Sequence, residues 1–391
     1  MLSDNVNRKS AFCANCAYFA VDYREKTCYT ETTIMKGQNI MELKNTLLEI
    51  QTQLDKHAFS QYAILVGYGD REWQYMSEGV DLDSYFDAAS IGKVFPTSAL
   101  ALHAISEGLL SLDDTLEKYF PGVPKDKNKI TVKNLMTHTS GLLRRQYPKR
   151  LGLRGRKGVA EFIFSNPLAY ETGSHFAYCC DGIILLGFIV EKVLGMTLEE
   201  AFETYVKKPL GMTRSTYHIK IDEENMVMCN HRADLGGLIY DDNNVRELCG
   251  IPAGCGGNFI TAGDLQKFVK ALIRKDPCLY SDETFALAEQ NYTGGLPILD
   301  AIRNTENHGL GFVYVNEACL QARDLFPEGS IGHSGWSGQS FYLNRELGLY
   351  VIILSDSMRS FCLNYPKGNH SDKVHQMRID IHRAVKKDLG L

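Results

Sequence analysis

Ser90 and Lys93 stand three residues apart in the run Phe86-Asp-Ala-Ala-Ser90-Ile-Gly-Lys93-Val-Phe, and their types and spacing suit nucleophilic chemistry. On a helix, positions i and i+3 share a face, so hydroxyl and amine come within side-chain reach. A serine alcohol is a poor nucleophile until a neighbouring base takes its proton. An amine can do so when burial or a second cation lowers its pKa. Read alone, Ser90 is equally a helix N-cap and Lys93 a solvated surface lysine. The apolar neighbours Val94 and Phe95 favour a buried Lys93.

Further landmarks follow in order. Phe176-Ala-Tyr178-Cys179-Cys180-Asp-Gly opens an apolar helical run. Ile331-Gly-His333-Ser334-Gly335-Trp336 precedes one strand-like segment, Ser340 to Leu354. Between and around them lie His138-Thr-Ser140-Gly141, Pro209-Leu-Gly-Met212, Tyr240-Asp-Asp-Asn-Asn, Ala253-Gly-Cys-Gly-Gly-Asn, Ala262-Gly-Asp264 and His308-Gly-Leu-Gly-Phe312. Over roughly residues 40–385 the chain resembles the penicillin-recognising serine hydrolases. The resemblance is to their class C β-lactamase-like branch, which also holds D-aminopeptidases, D,D-carboxypeptidases and esterases.

That resemblance implies roles. Ser90 would form an acyl-enzyme, with Lys93 assisting its deprotonation. Tyr178 matches the tyrosine of the Y-x-N motif, a general base and then proton donor to the leaving group; the alternative is a core tyrosine. Cys180 stands where that motif has asparagine. A thiol is a much weaker hydrogen-bond partner than an amide, which favours ester or unusual amide substrates over β-lactams and peptides. His333 and Gly335 match the third motif, as H-x-G. The histidine would supply a donor, and a cation if protonated, near the Tyr178 oxygen, and Gly335 would leave room for substrate. The N–H groups of Ser90 and Trp336 would form the oxyanion hole, with Trp336 also walling the pocket. His138 falls in a structural turn near the site and is less expected to be catalytic. No cofactor is implied for the chemistry.

Two features lie outside the resemblance. Leu143 to Lys157 carries seven basic residues and no acids. It reads as a solvated face or as a recognition strip for a carboxylate or phosphate on the substrate. Cys13-x-x-Cys16 with Cys28 has the spacing of a zinc knuckle plus one thiolate and lacks an evident fourth ligand, so a structural zinc and free thiols both stay open.

The elements that must position these groups follow from periodicity. Ile40, Leu43, Leu47, Ile50 and Leu54 predict an amphipathic helix. Tyr62–Gly67 and Glu72–Ser77 predict strands joined at Gly69-Asp70, and Lys373–Lys387 a closing helix. The expected fold is α+β: an antiparallel sheet built from both chain ends, flanked by helices, with a mostly helical subdomain over about 91–325. Residues 1–37 read as an appendage to a domain spanning 38–391. Pro96 should bend the Ser90 helix by removing one backbone bond. Net charge −5 disfavours nucleic acid and anionic membranes as partners. The apolar run Ile183–Val190 is too short to span a bilayer. Eleven cysteines and no visible export signal favour reduced thiols and a cytoplasmic setting. The expected function is a serine hydrolase acting on an ester or small amide, with a small-molecule or short-peptide substrate. Two rivals stand beside it: an acylation-only binding or sensor protein, and a cytosolic peptidase for D-amino-acid or modified peptides.

Overall fold

Strand parity decides the sheet. In β1 (Tyr62–Tyr68) and β9 (Leu349–Ser355), alternate residues enter opposite cores. Ala63, Leu65, Tyr350, Ile352 and Leu354 face one core, and Tyr62, Ile64, Val66, Leu349, Val351 and Ile353 face the other. Both faces are covered, so β9 is buried along its whole length and reads as a continuous apolar run. The computed structural model describes residues 42–143, 155–218, 225–229, 252, 254–299, 306–365 and 367–391.

Seven antiparallel strands run in the order β2-β1-β9-β8-β7-β6-β5. The remaining ranges in this sheet are β2 Arg71–Met76, β5 Asn307–His308, β6 Val313–Tyr314, β7 Ile331–Ser334 and β8 Ser340–Asn344. β1 pairs with β9 through Ile64↔Ile353 and Val66↔Val351, which joins the two chain ends as expected. β2 returns from β1 at the expected turn, where Gly69 takes φ +58°. The segment Ser340 to Leu354 is a hairpin rather than one strand. Its turn, Arg345–Gly348, closes with the Gly348 N–H donating to the Arg345 carbonyl (3.0 Å). β5 and β6 have two residues each, too few to show a period. A separate ribbon pairs β3 (Tyr85–Asp87) with β4 (Phe259–Thr261).

One face of the sheet carries α1 (Lys44–Asp55) and two C-terminal helices, Ser357–Asn364 and His370–Leu389. Leu43 caps α1 without a side-chain bond. The carboxylate of Asp388, on the last helix, does so instead: it accepts from the N–H groups of Asn45 (3.0 Å) and Thr46 (2.7 Å). The other face carries the helical subdomain, including α2 (Ala99–Ser106), α3 (Leu116–Tyr119), α4 (Val132–Met136), α5 (Gly155–Ser165) and α6 (Cys180–Leu194). α6 buries Asp181 through Val190, so its apolar surface is spent on the core. Among the described residues no helix is long and apolar enough to cross a membrane. Two landmarks are tied together here. The Asp264 carboxylate accepts from the N–H groups of Thr213, Arg214 and Ser215 (3.1, 2.9 and 2.6 Å), just past Pro209–Met212.

Candidate active site

The β3–β4 ribbon delivers the chain to Ser90. The Ala88 N–H donates to the Asn258 carbonyl (3.0 Å), and the Ala89 N–H to Asp87 Oδ1 (2.9 Å). Ala89 takes φ +46°, so the chain enters the next turn abruptly. That turn, Ala89–Lys93, is a helix of the 3-10 kind. At three residues per turn, i and i+3 eclipse, which serves the Ser-x-x-Lys pair better than an α-turn would. Lys93 Nζ donates to Ser90 Oγ at 3.1 Å and to the Cys255 carbonyl at 3.0 Å. Lys93 is 1% exposed.

Pro96 breaks the helix instead of bending it. Val94–Ser98 is a π-turn with non-helical Phe95 (φ −121°, ψ 93°), the Phe95–Pro96 peptide is cis, and regular helix resumes at Ala99. The freed Phe95 carbonyl accepts from Asn258 Nδ2 (2.9 Å) and Thr97 Oγ1 donates to the Gly254 carbonyl (2.6 Å). Segment 254–258 thereby holds both ends of the break.

Tyr178 lies two residues before α6. Its ring centroid is 5.1 Å from Lys93 Nζ, and its hydroxyl hydrogen-bonds with Ser90 and Lys93. Burial pushes its pKa up to about 12, against the pull of the Lys93 charge. At rest it is therefore a phenol. Cys180 is the first residue of α6 and half-buried; negative charge on its thiol would raise Tyr178 further.

Three histidines surround that ring. Centroid distances from Tyr178 are 4.6 Å to His138, 6.1 Å to His308 and 6.1 Å to His333. All three are buried, and among the described residues His138 Nε2, His308 Nδ1 and His333 Nε2 have no hydrogen-bond partner. Burial, then the charges of the other histidines and Lys93, hold His138 and His333 well below the usual imidazole pKa. Burial alone pushes His308 down to about 3. His333 Nδ1 lies 2.9 Å from the Ser334 carbonyl, which can only accept, so Nδ1 carries the proton. Nε2 is then a bare acceptor, the imidazole is neutral, and its N–H is directed to the Ser334 carbonyl. His138 does sit in a turn. It takes φ +57°, and its carbonyl accepts from the Ala177 N–H (3.0 Å). His308 was noted only as a landmark, because nothing in a two-residue strand announces which site it joins.

Gly335 has a packing reason. A Cβ there would lie 3.1 Å from the Ala88 carbonyl, 3.2 Å from Ala89 Cβ and 3.5 Å from Ser90 N. The expected clearance is thus filled by the serine turn's own backbone. Trp336 is half-buried and packs on the core beneath the C-terminal helices.

The remaining candidates lie elsewhere. Of the basic run, Arg156 forks onto Glu191 (Nη2 to Oε1, 2.6 Å) and Lys157 lies 3.8 Å from Glu161. Both pairings fit a solvated face; residues 144–154 lie outside the described residues, as do Cys13, Cys16, Cys28 and Tyr240–Asn244. Among the described residues no group of three or more His, Cys, Asp or Glu is placed to hold a metal. A cavity of about 850 Å³ opens between α5 and α6, over Phe120, Phe164, Phe188 and Met196, and includes none of the site residues.

Comparison with known proteins agrees with this architecture. A chain of Escherichia coli (strain K12) named as a D-alanyl-D-alanine carboxypeptidase is 25% identical over 312 residues, 70% of this chain and 69% of that one. The structure of EstCE1, titled a hydrolase with promiscuous acyltransferase activity, superposes with TM-score 0.66 at 20% identity over 86% of this chain and 98% of that one. The octameric penicillin-binding protein homologue of Pyrococcus abyssi gives TM-score 0.64 at 22% identity over 84% and 78%. The Beta-lactamase family model matches residues 49–364, and the chain belongs to that family.

Proposed function

We propose that the protein is a serine hydrolase that works through an acyl ester on Ser90 and prefers esters or small amides. The observation that carries this reading is the Ser90–Lys93–Tyr178 contact set, with Nζ 3.1 Å from Oγ and 5.1 Å from the phenol ring. As Oγ attacks the substrate carbonyl, a C–O bond forms and the Ser90 proton passes to Lys93 Nζ, which acts in its free-amine form because Tyr178 rests as a phenol, and Lys93 then resupplies the proton that Tyr178 gives up. Collapse of the tetrahedral intermediate breaks the bond to the leaving group, which takes a proton from Tyr178. A phenol with pKa about 12 is a poor resting base and a serviceable acid once the leaving oxygen becomes basic. Water then attacks the acyl carbonyl, gives its proton to the same pair, and Ser90 regains a proton as its ester bond breaks. His333 takes part as a neutral acceptor at the edge of this network.

Cys180 supports the ester preference, since no amide group stands at its position to recognise an amide substrate. It also supports a second reading, in which the enzyme acylates and does not turn over. Intact-mass measurement after incubation with a fluorophosphonate, a penicillin and p-nitrophenyl esters separates the two. One adduct on wild type, none on Ser90→Ala, and decay of the ester adduct is the expected result. A stable ester adduct would favour acylation alone. Labelling of Ser90→Ala would remove the assignment.

A further inference from the structure

Among the described residues, Arg378 is the most buried cation that the chemistry above does not use. It sits on the last helix, 1% exposed, and no carboxylate pairs with it among the described residues. Nη1 donates to Gln321 Oε1 (2.7 Å). Nη2 donates to two carbonyls, those of Gly335 and Gln339 (3.0 Å to the latter), and Nε has no partner among the described residues. Burial lowers its pKa to about 10, offset by Tyr342 and Glu306, so it remains a cation at neutral pH.

Taking a guanidinium out of water costs several kcal/mol, and a neutral amide would suffice merely to tie a turn. The two carbonyls it holds are the ends of the turn after β7, which the Gly335 N–H closes by donating to the Gln339 carbonyl (2.6 Å). The Gly335 carbonyl and the Trp336 N–H belong to one peptide group. A charged donor on the oxygen of an amide draws electron density from its nitrogen and makes the N–H a stronger donor. Gly335 also packs against Ala88 to Ser90, which places that peptide beside the Ser90 N–H.

We propose that Arg378 is a positioning residue for the oxyanion site, clamping the Gly335–Gln339 turn and polarising the Gly335–Trp336 peptide so that Trp336 N–H stabilises the developing oxyanion. The proposal rests on the acyl-Ser90 reading. Its signature is a dependence on the identity of the substrate's carbonyl atom. Sulfur accepts hydrogen bonds poorly, so a thionoester gains little from a strengthened N–H.

The test compares kcat/KM for an oxygen ester and the matching thionoester in full-length wild type, Arg378→Met and Arg378→Lys. Removing an oxyanion donor outright costs about 10²–10³ in rate; acting through one peptide, Arg378→Met is expected to cost about tenfold on the oxygen ester, in kcat rather than KM. The thionoester rate should fall much less, so the oxygen-to-sulfur ratio shrinks, and Arg378→Lys should keep most of the ratio. Equal loss on both esters, or no loss in a folded Arg378→Met, overturns the proposal. Should Arg378→Met fail to fold, Arg378→Lys decides, because its single ammonium loses one arm of the clamp. A loss on the oxygen ester that the thionoester does not share, so that the ratio falls part of the way, supports polarisation, and equal loss on both esters excludes it. Wild type that neither labels with fluorophosphonate nor hydrolyses either ester would overturn the acyl-Ser90 reading and this one together. Normal labelling with unaltered ratios in the variants removes Arg378 alone.

Discussion

Gly92 stands between Ser90 and Lys93, and a methyl group there would do more harm than its size suggests. A Cβ would fall 2.4 Å from Asn258 Oδ1 and 2.8 Å from Gly256 Cα, and Gly256 is backbone that cannot swing aside. Overpacking of this kind costs about 1–3 kcal/mol. Gly92→Ala should therefore lower stability by that amount and slow ester hydrolysis, because 254–258 holds the Lys93 and Phe95 contacts. Unchanged Tm and rate would show that the segment yields freely. Tyr178→Phe keeps the ring beside Lys93 and removes only the proton carrier, so acylation should slow by about 10²–10⁴ with little change in Tm. A rate within threefold of wild type would remove Tyr178 from the mechanism. Cys180→Asn should move the amide-to-ester ratio of kcat/KM toward amides, and a constant ratio would mean that position 180 does not read the substrate. Ser90 and Lys93 were legible as a pair because their spacing is local, and Tyr178 only through the motif that the resemblance implies; the structure brings the three side chains together. The protonation of His333 was not legible, since it depends on the Ser334 carbonyl geometry and on two other buried imidazoles.

At the scale of elements, the link between chain ends is concentrated in one carboxylate. Asp388 accepts from the backbone of Asn45 and Thr46 and from their side chains, Asn45 Nδ2 and Thr46 Oγ1. Partial burial works against its charge, but these four bonds hold its pKa below the usual carboxylate range. It acts as the N-cap of α1 from 340 residues away in sequence, a role that Leu43 cannot fill. Asp388→Ala should cost about 0.5–2 kcal/mol, the range for loss of a cap. Hydrogen exchange should accelerate at the amides of the first turn of α1 more than in β1. Uniform acceleration would point to global loss instead. The strands β1 and β2 and both terminal helices were readable because each carries a period or a turn signal. The hairpin within Ser340–Leu354 was not, because both of its strands are buried on both faces and hide the alternation. The break at Pro96 exceeded the expected bend because Asn258, far along the chain, supplies the partner that lets Phe95 leave the helix.

For the whole molecule, the buried imidazoles set a pH limit on the fold. His138 and His333 sit well below the usual value near 6.5, His308 is at about 3, and burial holds His375 and His382 at about 4. An unfolded chain protonates these groups as pH falls through about 6.5, while the folded chain does not until well below that. Between these limits the unfolded state binds more protons, so stability rises with pH there and falls on acidification. Each histidine can remove up to about 1.4 kcal/mol per pH unit inside its window. Above about pH 7 the effect is absent, because both states hold neutral imidazole. Thermal unfolding at pH 7.5 and at pH 5.0 should therefore differ by on the order of 5–10 °C, with the lower Tm at pH 5.0. His308→Asn, which keeps a polar group in place of the imidazole, should shrink the difference; a Tm that is flat between these pH values would show that the imidazoles take up protons in the folded state. In folded protein the His138–His308–His333 group should not slow hydrolysis above pH 5.0, because it stays neutral there and adds no positive charge beside Lys93 and Tyr178. A rate that falls between pH 7.5 and 5.0 in folded wild type, and holds in folded His308→Asn, would show that the group takes up protons in the folded state.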